Sequence, residues 1–413
     1  MLWRALSAGT AVVLNILFAR YFAASESGRM FYLFTLFAFI IQVSSLSLES
    51  GMGYYAAKND TDDRHLVGFS LAWSFLSTIV TIALFAPVAQ LSSLKINYPL
   101  AYPACYLSGN MLIAFGNAFC YSKYRFVLPG IVAAMVNIFL IMLLLNVEYS
   151  GTKEYFISIY FYSFLVHGML LFLFILLQNK ILPSFSISSG NIKNIFRYSW
   201  YAFMGNMIFL FMCRVDYFFV KHYCSPGELG NYIQVSRISQ VFFIFPSMVA
   251  SVLFPVIAVG LKPAIAERVR IISVLILILS SAALLVLAVT GRFLFPLFYG
   301  NSFDRMFMPY LLLMPGIMAI SSLYPYTAYF SASNRLSVNI RGSFIALTVI
   351  VTGDALFIPV HGINAAALVS SAGYVVFQLY VLSVFSKESG VPYRKLFTLN
   401  RMECLYIINR FKW

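Results

Sequence analysis

Charge is scarce in this 413-residue chain. Only 10% of its residues are Asp, Glu, Lys or Arg, and just 14 are acidic. Soluble domains carry about a quarter charged residues. With 61% hydrophobic residues and a mean hydropathy of +0.85, a soluble globular protein is excluded. Long polar links are missing as well. None exceeds about 20 residues, far short of a domain, which excludes a catalytic centre carried on a large loop. No glycine-rich phosphate loop and no nucleophile–base spacing is present, so neither a catalytic residue nor a cofactor is expected. The five cysteines, Cys105, Cys120, Cys213, Cys224 and Cys404, are scattered, with no C-x-x-C pair and no Cys/His cluster. That leaves no signal for a metal or for redox chemistry, and each reads as a small packing residue. The net charge of +14 is spread over many short links rather than one basic and aromatic run, so nucleic acid is not an expected partner.

What the chain has is a series of apolar runs of about 20 residues, the length that crosses ~30 Å of hydrocarbon. Twelve spans are expected, near 3–22, 30–55, 66–88, 100–120, 127–146, 155–178, 196–220, 231–259, 270–291, 305–331, 336–358 and 363–386. The first run follows Arg4 as a signal peptide would. It continues to Tyr21 with no small-x-small cleavage site, and so reads as a retained span. With the N-terminus placed inside, 19 of the 28 Lys and Arg fall in inner segments and 7 in outer links, while Arg214 and Arg237 lie within spans. This positive-inside bias predicts cytoplasmic termini. The basic, aromatic tail 387–413 reads either as lying on the anionic inner leaflet or as plainly solvated.

The longest polar link, NKILPSFSISSGNIK from Asn179 to Lys193, divides the spans six and six. The expected organisation is an all-α integral membrane protein. It comprises an N-terminal half (1–178), a cytoplasmic linker (179–195), a C-terminal half (196–386) and the tail. Span one ends FARYFAASESGRMF and span seven FFVKHYCSPGELGNY, a faint echo between the halves. With six spans each, such repeats are parallel and related by a pseudo-two-fold axis along the membrane normal.

These residues also resemble a known family. RYFAASESGRMFYLFTLFAFIIQVSSLSLESGMGYYAAKND is similar to the opening of polysaccharide flippases of the multidrug/oligosaccharidyl-lipid/polysaccharide exporter superfamily. RVDYFFVKHYCSPGELGNYIQVSRISQVFFIFPSMVASVLFPVIA resembles their Arg-x-Asp, Gly-x-Tyr and late-proline pattern in spans seven and eight. FYGNSF (Phe298–Phe303) and IPVHGINAAALVSS (Ile358–Ser371) resemble their links after span nine and into span twelve. The first half departs most, with Glu148-Tyr-Ser-Gly-Thr-Lys-Glu where the family has a Gly-Ala-Ala link.

Ionisable residues inside spans are costly and mark function by default. Arg214 and Arg237 lie roughly 9 Å below the outer rim at ~1.5 Å per residue. Arg214 and Asp216 are two residues apart, ~200° around a helix, so the reading pairs Asp216 with Arg237 and turns Arg214 toward a water-filled cavity or another partner; an all-structural network is the alternative. Asn231, Gln234, Arg237 and Gln240 recur at spacing three, a stripe too polar for lipid. It reads as cavity lining or as helix–helix glue. Glu49 reads either as a proton or sodium site or as an interfacial acid paired with Lys58 or Arg64. Asp354 reads as a transport group or as one capping or paired with Arg292 or Arg305. His167 reads as hydrogen-bonded packing or as a proton relay. Pro246, Pro255, Pro315 and Pro325 point to bent helices.

The resemblance implies a transporter rather than an enzyme. It would flip a polyprenyl-pyrophosphate-linked repeat unit of O-antigen, capsule or exopolysaccharide, or serve lipopolysaccharide assembly, in a bacterial cytoplasmic membrane. A polymerase or glycosyltransferases of the same pathway would be partners, beside membrane lipids. Pyrophosphate needs a cationic contact, and the arginine fork suits it. A multidrug or cation antiporter of the same fold is the alternative, which needs acids deep in a cavity. A membrane polymerase or glycosyltransferase is a third reading that the short links disfavour.

Overall fold

The computed structural model describes residues 2–58, 62–91, 99–150, 153–185, 189–258 and 263–399. The described residues are helical apart from short turns, with no strand among them. Cys404, Lys95 and residues 400–413 of the basic tail lie outside the described residues, as does the side chain of Pro255.

The helices are α1 (Leu2–Ser45), α2 (Leu48–Lys58), α3 (Asp63–Leu91), α4 (Ala101–Ser122), α5 (Val127–Ser150) and α6 (Lys153–Asn179), followed by α7 (Ser189–Met212), α8 (Asp216–Tyr223), α9 (Pro226–Ala258), α10 (Pro263–Tyr299), α11 (Phe307–Ala332) and α12 (Leu336–Ser389). Nine described helical stretches, one of them joining α7 to α8, are long and apolar enough to cross a membrane. Two of these, α1 and α12, each bend into two spans, at Ala23 and at Gly362. α4 adds the last span. It packs against α2, α3, α5 and α6, and a helix walled in by others can carry its serines, glycines and Asn110. The twelve-span, two-half architecture expected from the apolar runs is the one observed.

Several breaks fall where continuous helix or an open turn was expected. The link after span one is not a loop. Ala23 alone leaves the helix (φ 57°, ψ 174°), and helix resumes at once. Span two is divided at Leu46 and Ser47, both at positive φ. Span seven is divided by the turn 213–215.

Contacts group the chain into two compact units, one of residues 1–21 and 33–207, the other of 22–32 and 208 onward. In the first unit α4 crosses α6 closely. A Cβ on Gly109 would stand 2.3 Å from the Phe164 carbonyl carbon, and one on Gly168 would stand 2.6 Å from Leu112 Cβ. Small residues at such crossings let membrane helices approach. Phe115, Phe119, Leu171, Met52 and Leu66 fill the core around them.

In the second unit, α11 packs on α9, α10 and α12. The segment 22–32 joins it through Gly28 and Gly230. A Cβ on Gly230 would lie 1.9 Å from the Ala24 carbonyl oxygen, and the Ala24 N–H is held by Ser302 Oγ at 3.1 Å. At the far end, fully buried Arg270 binds Glu267 and the carbonyl oxygens of Lys395 and Thr398, pinning the segment after α12.

Candidate functional site

The polar residues of spans seven and eight fall in the second unit, around the break between α7 and α8. Backbone bonds there shorten to i→i−3: Arg214 N–H to the Phe211 carbonyl and Tyr217 N–H to the Arg214 carbonyl. α8 then starts afresh at Asp216, whose Oδ1 accepts the Tyr217 N–H at 2.9 Å. An acid in a helix's first turn is favoured by the dipole.

Asp216 is only 2% exposed. Its Oδ2 accepts from the Tyr232 hydroxyl of α9 and from Ser370 Oγ of α12, the latter at 3.1 Å. The expected Asp216–Arg237 pair is not formed. The 200° count assumed unbroken helix, and the turn at 213–215 breaks that register, so the carboxylate meets hydroxyls instead of a guanidinium. Asp354, on the first arm of α12, is 0% exposed, and neither carboxyl oxygen has a hydrogen-bond partner among the described residues. It lies within electrostatic reach of Asp216 and Tyr232. Pairing with Arg305 does not occur, because Arg305 Nη1 binds Glu228 Oε1 at 2.8 Å. Arg292 makes no ion pair with Asp354 either. Two carboxyl groups, a phenol and a serine from α8, α9 and both arms of α12 therefore share one buried locus.

Beside it, Arg214 Nη1 donates to the Tyr217 hydroxyl oxygen (2.6 Å) and Nη2 to Gln240 Oε1 (2.8 Å). Arg214 also sits 5.2 Å from the Tyr217 ring centre, and the Arg237 guanidinium lies 3.6 Å from the centre of the Phe31 ring. An aromatic face attracts a guanidinium through the negative charge at the ring's centre and fixes the plane of the fork.

The stripe at spacing three spirals. Three residues advance 300°, so successive members drift by 60° and the ends of a nine-residue stripe face opposite ways. Asn231, accordingly, binds the Ser302 carbonyl and accepts the Arg305 N–H on the side of the 301–303 turn, whereas Gln234 meets Tyr299 of α10 and Gln240 meets Arg214.

Glu49 and His167 lie in the first unit. Glu49 opens α2 next to the Leu46–Ser47 break. Its contacts are Ser45 and its own backbone, and its Oε2 has no partner among the described residues. The pairing with Lys58 or Arg64 is not formed, since Lys58 lies over the Tyr54 ring at 4.6 Å. Ser47 nearby is held by Gln42 and Asn206 at 2.7 and 3.1 Å. His167 is partly buried in α6, with no hydrogen bond among the described residues.

Sequence reasoning missed Tyr232, Ser370, Tyr217 and Phe31. Tyr232 stands in the Gly-x-Tyr pattern of the resemblance, which was the only available signal. Nothing singled out Ser370 within a run of small residues.

No curated protein matches the chain by sequence. A family model described as polysaccharide biosynthesis protein matches residues 17–308. Among solved structures, the lipid II flippase MurJ in an inward closed conformation aligns with TM-score 0.72 at 15% identity, covering 100% of this chain and 91% of that one. An inward-facing multidrug-resistance MATE transporter of the MOP superfamily aligns with TM-score 0.75 at 12% identity, covering 94% and 96%. VcmN, a MATE transporter of Vibrio cholerae, aligns with TM-score 0.69 at 13% identity, covering 96% of both chains. These likenesses show a shared fold.

Proposed function

Because the chain belongs to a family of polysaccharide biosynthesis proteins, we propose that it flips a polyprenyl-pyrophosphate-linked oligosaccharide across the bacterial cytoplasmic membrane, for surface polysaccharide such as O-antigen, capsule or exopolysaccharide. The family match over most of the chain carries this reading, and the likeness of fold to a lipid II flippase supports it. The termini are cytoplasmic, and a polymerase and glycosyltransferases of the same pathway are its partners.

Mechanistically, Arg237 is the pyrophosphate contact, oriented by Phe31. Arg214, held by Tyr217 and Gln240, is the second cation, and Gln234, Gln240 and Asn231, through Tyr299, Arg214 and the 301–305 turn, steady the helix that carries Arg237. The lipid tail stays in the bilayer while the two halves alternate access. Asp216 and Asp354 form the coupling locus, where a cation or proton supplies the positive charge that buried Asp354 lacks. Breaking or filling such a locus biases a conformational equilibrium. Glu49 and His167 are secondary candidates for coupling in the first half.

The multidrug reading has one observation in its favour, the equally good likeness to MATE transporters. Deleting the gene in its host separates the two. The flippase reading expects loss of surface glycan, accumulation of lipid-linked repeat units and unchanged drug susceptibility. Intact glycan with heightened drug sensitivity would establish the alternative.

A further inference from the structure

A second site lies away from that locus. At one end of the second unit, the last turns of α10, the 301–306 turn and the bend of α12 enclose a cavity of about 570 Å³. This size is within the range of ligand sites. Its floor is aromatic, formed by buried Phe295 and Phe303. Two of its charges are already spent on structure. Glu228 accepts from the Ser225 N–H and hydroxyl as a capping box for α9, and it also holds Arg305. What remains is one cation, Arg292, and one anion, Asp304, with His361 and Asn364 beside them. Neither Arg292 nor Asp304 has a partner among the described residues. The helix face next to Arg292 is strongly apolar and exposed, with Phe293 at 78% and Leu297 at 64%, as a lipid-facing wall is.

We infer that this cavity binds the headgroup of a zwitterionic phospholipid, of the phosphatidylethanolamine class, with its acyl chains along the α10 wall. The arginine fork suits a phosphate, and Asp304 suits an ammonium. The charge count separates the possible ligands. A zwitterion satisfies both leftover charges. A pyrophosphate brings two negative charges to a single unpaired arginine and faces Asp304. A neutral sugar leaves both charges uncompensated, which is costly on desolvation.

The test uses purified full-length protein in detergent. Lipid retention is measured by native mass spectrometry and melting midpoint, with phosphatidylethanolamine, phosphatidylglycerol or undecaprenyl pyrophosphate added. Wild type retains phosphatidylethanolamine about tenfold better than phosphatidylglycerol, the size expected for one charge-assisted contact. Arg292→Gln loses retention of both phospholipids, and Arg292→Lys falls between. Asp304→Asn removes the preference between the two headgroups. Because both side chains are exposed, the lipid-free melting midpoint stays at the wild-type value. Equal retention of both phospholipids by wild type and Arg292→Gln would overturn the inference. So would displacement of phosphatidylethanolamine by undecaprenyl pyrophosphate through Arg292, which would make this a cargo site.

Discussion

Asp216 shows how a single carboxylate is satisfied without a counter-ion: a backbone N–H, a phenol and a serine take its lone pairs. Tyr232→Phe removes one of these donors from a buried acid, at a cost of about 1–3 kcal/mol. A lower melting midpoint and lower membrane abundance are expected, and double-mutant analysis should show Tyr232→Phe coupled to Asp216→Asn. Asp216→Asn and Arg237→Gln should instead be additive within about 0.5 kcal/mol, because the two side chains do not meet. Asp354 has no hydrogen bond to lose, so Asp354→Asn leaves abundance near wild type while abolishing any ion or proton dependence of transport. The spacing of Arg214, Asp216 and Arg237 was legible as a polar locus in the membrane. Their partners were not, because pairing depends on a three-residue turn that no glycine or proline announces.

At the scale of the elements, the helix breaks decide which residues meet. The Gly362 bend sits in a link readable from IPVHGIN, with a glycine at the position of positive φ (59°). Ala23, Leu46 and Ser47 also have positive φ (57°, 50° and 52°), with side chains that rarely adopt it. Tertiary contacts impose those breaks, and the apolar runs on either side look continuous. The close approach of α9 to the segment 22–32 is equally silent in the sequence. It makes a sharp prediction: Gly230→Ala collides with the Ala24 backbone and should reduce folded protein severely. Gly227→Ala, three residues earlier with nothing within 4 Å, should melt like wild type. Matched melting midpoints for the two variants would mean that the crossing at Gly230 is not tight.

For the whole molecule, run length and the positive-inside bias made twelve spans in two halves legible, because hydrocarbon thickness and loop charge act on sequence directly. The same bias predicts which ends are inner and which are outer. A reporter fused after Leu182 should read as cytoplasmic and one fused after Ser225 as external, and the reverse would invert the topology.

Movement of a lipid-linked glycan through a cationic locus can be followed in proteoliposomes loaded on one face with an undecaprenyl-pyrophosphate-linked oligosaccharide. The measurement is the rate at which the glycan becomes accessible to an external lectin. Wild type should expose it well above protein-free vesicles. Arg237→Ala should fall to background with normal insertion, and Arg237→Lys should recover part of the rate, since a point charge attracts phosphate without the fork. Exposure by Arg237→Ala at the wild-type rate would mean that the glycan does not pass by way of Arg237.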